Sequence, residues 1–269
     1  MCIRNYSDRT INTYSSLLTH FLDYVRRKPS EISTKDLKNY IYYRLKKDNI
    51  SVSTINQIIS AWRIAYVHIL GKEWEGCRIT RPRRDKKLPE VLSQQEAHSL
   101  INSPKNLKHR AILHLMYSTG IRRSELLSLK VSDIDSSRMI VNVRQGKGKK
   151  DRQAILHPKV LDILREYYKR YRPTHYLFEG FNDEKSYSAS SLAKIVKRNA
   201  KAVGITKEIS VHTLRHCFAT HMLEKGANLK VIQQLMGHSS LKTTSIYLSL
   251  ANIDNSKLPN PLDDINNGK

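Results

Sequence analysis

Cysteine is almost missing from this 269-residue chain: only Cys2, Cys77 and Cys217 occur, far apart and without a CxxC pair. An odd, scattered set argues against a disulfide framework or a zinc site and fits a reducing compartment. Cys217, inside a helical pattern, reads as a small core residue. Long apolar runs are missing too, since no stretch approaches the roughly 20 residues that span a bilayer. The N-terminus, MCIRNYSDRTINTYSS, lacks the apolar core of a secretory signal. There are no clustered carboxylates of a two-metal site and no P-loop, so neither a metal nor a nucleotide is expected as cofactor. Acidic residues are scarce, with 24 Asp and Glu against 47 Lys and Arg, a formal charge of +23 and a sequence pI near 10.0. Such a surplus repels itself unless a polyanion is the normal partner. Nucleic acid is the first choice, because its dense phosphates release counterions on binding. A ribosome-associated or merely basic surface is the plainer reading of charge alone.

What is present organises into two mainly helical parts. Ser7 or Asp8 can cap a helix carrying Ile11, Tyr14, Leu17, Leu18, Phe21 and Val25 at helical spacing. Ser33 or Thr34 opens a second, with Leu37, Tyr40, Ile41 and Leu45 inward. Ser51 or Ser53 opens a third, with Ile55, Ile58, Ile59, Trp62, Tyr66 and Ile69 inward. From Gly76 to Pro89 the text GCRITRPRRDKKLP is cationic and proline-bearing, a linker by composition. A solvated loop and a basic hinge along a phosphate backbone both fit it. The boundaries expected are therefore 1–75, a linker at 76–90, and 91–269 with a tail from about 249.

The second part opens on a capping box, Ser93 with Glu96. Two short strands, Met139–Arg144 and Arg152–Leu156, flank the turn QGKGKKD, and Tyr176–Phe178 is a possible third strand. Helices return from Ser188 to Leu250, broken at Gly204, Gly226 and Gly237. The fold class expected is mainly α, with a small antiparallel sheet in the second part.

Four stretches concentrate ionisable side chains. In STGIRRSEL, Gly120 breaks one helix and Arg122 stands near the start of the next, where an anion can be gripped; a surface arginine is the plain alternative. At the hairpin tip GKGKK, Lys147 is a mobile cation and potential proton donor, or simply part of a solvated turn. In VHTLRH, His212 and Arg215 lie three apart on one helical face, two cations suited to a shared phosphate. A histidine satisfied in the core is the alternative for His212, and His216 reads as a packing residue. In LMGHSSLKTTSIY, Gly237 ends a helix, His238 follows, and Tyr247 lies on the next short one; among 14 tyrosines, a single one is ordinarily structural.

Together these stretches resemble the tyrosine site-specific recombinases, the integrase family that includes the Xer and integron enzymes. The most specific parts are TGIRRSEL, HTLRHCFATHML and LMGHSSLKTTSIY, and the resemblance runs from about Tyr6 to Leu248. It implies a helical N-terminal DNA-binding (SAM-like, core-binding) domain and a catalytic domain that cuts and rejoins duplex DNA through a 3′-phosphotyrosyl intermediate. It implies that Arg122, Lys147, His212, Arg215, His238 and Tyr247 occupy the six active-site positions, with Tyr247 the nucleophile and Lys147 the general acid. Arg122 and Arg215 would hold non-bridging oxygens, His238 would bond another, and His212 would accept or relay the tyrosine proton. Arg123 departs from the aliphatic residue usual there, and Lys149 and Lys150 compete with Lys147. The resemblance further implies a homo-oligomer on DNA, a dimer per site and a tetramer in synapsis, in the prokaryotic cytoplasm at the nucleoid. Its tail would pack on the next protomer. A type IB topoisomerase, resealing the same strand, and a non-catalytic DNA-binding regulator are the competing readings.

Overall fold

The computed structural model describes residues 6–74, 79–83, 88–144, 151–181 and 185–252. The chain divides into two compact units, 1–87 and 88–269.

The first unit is built on three helices, α1 (Asp8–Val25), α2 (Thr34–Asp48) and α3 (Val52–His68). Serine starts each of them: Ser7, Ser33 and Ser51 accept from the backbone N–H three residues on, satisfying an otherwise orphaned donor. Their buried faces meet in an aromatic cluster. The Phe21 ring lies 5.1 Å from Tyr40 and 5.0 Å from Trp62, the latter edge-on at 83°, and such pairs add about 0.5–1.5 kcal/mol each beyond burial. The inward positions Leu37, Ile55, Ile58 and Ile59 are buried as the spacing predicts, whereas Leu45 and Ile69 are exposed. Both lie in the last turn or at the C-cap of their helices, where the apolar stripe outruns the core. Part of the basic stretch after Gly76 also belongs to this unit. Ile79 is buried in its core, and Asn56 on α3 donates through its side-chain amide to the Pro82 carbonyl at 3.3 Å.

The second unit contains α4 (Gln94–Asn102), α5 (Leu107–Thr119), α6 (Arg123–Ser128), α7 (Pro158–Tyr171), α8 (Ala189–Ala202), α9 (Val211–Glu224), α10 (Leu229–Met236) and α11 (Leu241–Thr244). A 3-10 turn, Ser245–Tyr247, follows α11. Three antiparallel strands, β1 (Ile134–Asp135), β2 (Ile140–Val143) and β3 (Arg152–Ile155), form one sheet in the order β1-β2-β3. The expected strand at Tyr176–Phe178 is not formed. Its backbone is engaged elsewhere: the N–H groups of Thr174, His175 and Tyr176 donate to the Glu179 carboxylate, and Leu177 N–H donates to the Leu129 carbonyl. The third strand is instead β1, two residues long.

Helix α9 is the axle of this unit, buried nearly all round. It also ties down the start of the unit. Leu92 N–H donates to Cys217 Sγ at 3.3 Å, and the Leu92 carbonyl accepts from His221 Nε2 at 2.9 Å. Because His221 Nε2 donates, its Nδ1 must accept, and Tyr117 supplies the hydroxyl at 2.8 Å. Cys217 is thus the buried core residue expected. Beside the main core, Phe218, Ala219, Leu223, Ile232, Met236 and Tyr247 form a second cluster joining α9, α10 and the 3-10 turn.

Candidate active site

Two chain reversals bring the site together, and both need glycine. Gly120 ends α5 at φ +58°, and a Cβ there would lie 2.4 Å from the Phe218 ring; Gly237 ends α10 at φ +61°. Such a φ is costly for a residue with a side chain. Each turn presents a carbonyl to an arginine from elsewhere in the fold.

Arg122, at the N-cap of α6, donates through Nη2 to the Gly237 carbonyl at 2.7 Å and through Nη1 to Glu125 Oε1 at 2.6 Å. Its backbone N–H donates to Glu125 Oε2 at 2.9 Å. Glu125 is buried and receives a third partner, Arg152 Nη2, at 2.7 Å. Burial alone would raise this carboxyl; the charge of Arg152 and the bonds from Arg122 outweigh it and hold the group below the ordinary carboxylate range.

Arg215, on α9, is buried beside them. It donates through Nη1 to the Gly120 carbonyl and through Nη2 to the Met236 carbonyl (2.6 Å) and to His238 Nε2 (3.0 Å). A guanidinium only donates, so His238 Nε2 is the acceptor and Nδ1–H donates to Thr244 Oγ1 at 2.9 Å. His238 is therefore neutral. Burial, then the charges of Arg215, Arg122 and Arg152, pushes it down to about 4.

Tyr247 is buried, 2% exposed, and its ring stacks on His238 with centroids 6.4 Å apart at 12°. Its hydroxyl lies 3.0 Å from Nδ1 of His216, one helical turn along α9 from His212. Burial pushes the phenol up, while Arg215 and Arg122 pull it back. Burial first, then His212 and Arg215, pushes His216 down to about 4, so at neutral pH the ring is uncharged and, in the tautomer protonated at Nε2, accepts the Tyr247 hydroxyl through Nδ1.

His212 stands at the exposed rim, and no side-chain hydrogen bond to Tyr247 joins it among the described residues. Partial burial, then the guanidiniums of Arg123, Arg215 and Arg122, lowers it. Lys147 lies outside the described residues. The strands flanking it in sequence are described, and Arg152, the first residue of β3, reaches this cluster.

The structure thus brings Arg122, Arg215, His238 and Tyr247 together, with His212 at the edge. It adds Glu125, Arg152, Thr244 and His216, to which the sequence reading gave no role in chemistry. For His216 a signal existed: it is four residues from His212 and so shares its helical face. The cluster holds three guanidiniums and one carboxylate, which bonds Arg122 and Arg152, and the histidine bonded to Arg215 is neutral. The excess positive charge favours an anion, and the planar guanidiniums suit the oxygens of a phosphate.

Comparison with known proteins gives the family. The profile described as "Phage integrase family" matches residues 90–252, and that described as "Phage integrase, N-terminal SAM-like domain" matches residues 1–76. The chain belongs to the phage integrase family. It is 35% identical over 260 residues to a tyrosine recombinase of Thermosipho africanus, covering 93% of this chain and 91% of that one. It is 33% identical to the tyrosine recombinase XerD of Oceanobacillus iheyensis, covering 91% and 88%. Among solved structures, a XerA recombinase is 32% identical with a TM-score of 0.57, over 95% of this chain and 91% of that one. The fold is shared more closely, at a TM-score of 0.73, with a XerH site-specific recombinase bound to its difH substrate, 24% identical over 93% and 78%. This integrase-family chain is a site-specific tyrosine recombinase, a DNA-binding enzyme that cleaves and rejoins DNA strands. These relatives support the recombinase reading and not the topoisomerase or regulator one. No helix among the described residues is long and apolar enough to cross a membrane.

Proposed function

We propose that Tyr247 attacks the scissile phosphate and becomes linked to the 3′ end of the cut strand. The observation that carries this reading is the 3.0 Å contact between the Tyr247 hydroxyl and His216 Nδ1, beside the buried guanidinium of Arg215 and the half-buried one of Arg122. A phenol is a poor nucleophile near neutral pH, so its proton needs an acceptor as the O–P bond forms. His216, neutral and in contact, supplies one in this arrangement. His212 at the rim is then left to bind the phosphate rather than the phenol.

Arg122 and Arg215 bind the non-bridging oxygens, where charge accumulates on the phosphorane. Held by carbonyls and Glu125, they are preorganised and do not need to be ordered during the reaction. His238, with Nε2 turned to Arg215, completes the same surface. Lys147 protonates the departing 5′ oxygen as the P–O5′ bond breaks. The 5′ hydroxyl of a partner duplex reverses the sequence, so the phosphodiester bond energy is conserved. The N-terminal helical unit, taken as 1–75 with its basic connection at 76–90, grips the same duplex.

On DNA the chain assembles as a homo-oligomer, a dimer per site and a tetramer in synapsis; one feature supports this and a second limits which part of the tail takes part. Leu241, Ile246 and Leu248 are exposed apolar side chains close in sequence to the nucleophile. Leu250 and Ala251 pack on the chain's own second cluster, and Ala251 N–H donates to the Tyr247 carbonyl at 2.9 Å. Asn252 N–H also donates to the chain's own Glu224, at 3.2 Å, so the part of the tail that would reach another protomer begins after Asn252, outside the described residues.

Tyr247→Phe tests the nucleophile. It removes one hydroxyl and should abolish the covalent protein–DNA adduct on a nicked suicide duplex. Affinity, which rests on many phosphate contacts, should stay nearly unchanged. An adduct formed by the Phe variant would assign the chemistry to another residue.

A further inference from the structure

We propose that Arg152 is a positioning residue for the phosphate-binding guanidinium of Arg122, acting through both of the groups that hold Arg122 in place. This rests on the reading of Arg122 as a phosphate ligand. Arg122 has two side-chain acceptors, Glu125 Oε1 and the Gly237 carbonyl. Arg152 braces each. Its Nη2 donates to the other oxygen of the same carboxylate, Glu125 Oε2, at 2.7 Å. Its Nη1 donates to the Leu235 carbonyl in the last turn of α10. Its stem runs under Gly237 closely enough that a Cβ there would lie 2.5 Å from Arg152 Cδ.

The cost of this arrangement argues that it is held for a purpose. The Arg152 side chain is only 8% exposed, and its Nε is buried without a hydrogen-bond partner among the described residues. A buried ion pair is a weak source of stability, and an orphaned donor subtracts from it. What the pair does supply is geometry. Without Arg152, Glu125 Oε2 keeps only the Arg122 backbone N–H as a partner, and the α10 terminus loses its tie to β3. Both acceptors of Arg122 are then held less tightly. The same tie reaches Arg215 and His238, because the Met236 carbonyl that receives Arg215 lies between Leu235 and Gly237. Arg152 need not touch the phosphate to matter for its transfer. A lysine cannot replace it, since a point donor reaches one of the two acceptors but not both.

The test uses the full chain on a half-site suicide duplex, with single-turnover adduct formation as the readout. The scissile position carries either the normal phosphodiester or a methylphosphonate. A methylphosphonate replaces one charged oxygen by methyl, so the transition state carries less charge and depends less on a well-placed arginine. Arg152→Met should slow adduct formation on the phosphodiester by about 100-fold, the loss typical of one misplaced charge-stabilising donor. Duplex affinity should change by less than about threefold, since bulk phosphate contacts remain. On the methylphosphonate the gap between Arg152→Met and the wild type should shrink, in parallel with that of Arg122→Ala. Arg152→Lys, which keeps the charge and guards against a variant that fails to fold, should fall in between on the phosphodiester and show the same shrinkage. An equal slowdown of both variants on both substrates would mean a purely structural role and would overturn the proposal, as would a wild-type rate on the phosphodiester. If the wild type itself forms no adduct, the recombinase reading of the site falls and this inference falls with it.

Discussion

Replacing Gly237 by alanine, with Gly226→Ala as the matched control, measures what the close packing under the α10 terminus contributes. Both glycines have positive φ, +61° and +81°, so both variants meet the same backbone penalty. That penalty is about 1–2 kcal/mol, reduced by roughly 0.4–1 kcal/mol because alanine also restricts the unfolded chain. At Gly226 nothing lies within 4 Å of the added Cβ, so Gly226→Ala should lose about 1 kcal/mol and no activity. At Gly237 the Cβ would lie 2.5 Å from Arg152 Cδ and 3.0 Å from Arg152 Nε. Carbon contacts prefer about 3.5–4.0 Å, so the Arg152 stem must move by about 1 Å. Its guanidinium is fixed at both ends, and such a shift strains or breaks a bond to Glu125 or Leu235. A hydrogen bond to a charged group is worth about 1.5–3 kcal/mol. Gly237→Ala should therefore lose about 2–4 kcal/mol in all, the sum of the backbone and hydrogen-bond terms. Urea unfolding reads the stability, and single-turnover adduct formation reads the site. Gly237→Ala should cleave slowly with near-normal duplex affinity, while Gly226→Ala should match the wild type. Equal losses of stability in the two variants, with cleavage intact in both, would refute the reasoning.

His216 gives a pH-dependent prediction. Its folded value, about 4, lies below the ordinary 6.5, so the unfolded chain takes up its proton first as pH falls. Stability is then lost from near pH 6.5 down toward 4, and His216→Asn should flatten that slope by at most about 1.4 kcal/mol per pH unit while slowing adduct formation; an unchanged slope counts against burial of the neutral ring. Lys147→Ala should cleave slowly on ordinary DNA and recover on a 5′-bridging phosphorothiolate, because sulfur leaves without a proton. Failure there, with recovery of Lys149→Ala or Lys150→Ala instead, would transfer the general-acid role to a neighbour. Truncation after Asn252 spares Leu250 and Ala251, which pack on their own domain. It should keep half-site binding and weaken cooperative filling of paired half-sites in an electrophoretic titration; undiminished cooperativity would exclude a trans role for the tail.

How much of this was legible beforehand depends on the distance over which each feature is determined. Helix starts are local because a cap speaks to a donor three residues away, so Ser93 is legible outright and the starts at 7, 33 and 51 to within two candidates each, of which the structure uses the serine at 7, 33 and 51. Burial faces were readable from spacing, but not where a stripe outlasts its core, as at Leu45 and Ile69. Strand β1 is two residues long and carries no period to detect. Tyr176–Phe178 has the composition of a strand, yet its donors go to Glu179 and Leu129, which composition does not encode.

The site divides along the same line. Arg122, Arg215, His238 and Tyr247 were named from short motifs whose order could be compared with a family. Arg152 and His216 could not be named that way, because each acquires its part from a partner far along the chain. Arg152 meets Leu235 across 83 positions, and His216 meets Tyr247 across 31. In sequence, Arg152 is one cation among 47 Lys and Arg, next to a basic turn. Only the fold distinguishes it, by burying it where a charge is costly and giving it the same carboxylate that Arg122 uses. That is the physical reason a motif finds the groups that meet the phosphate and misses the groups that aim them. The former must be of one chemical type at one spacing. The latter need only arrive, from any element, at a buried acceptor already shared with the site.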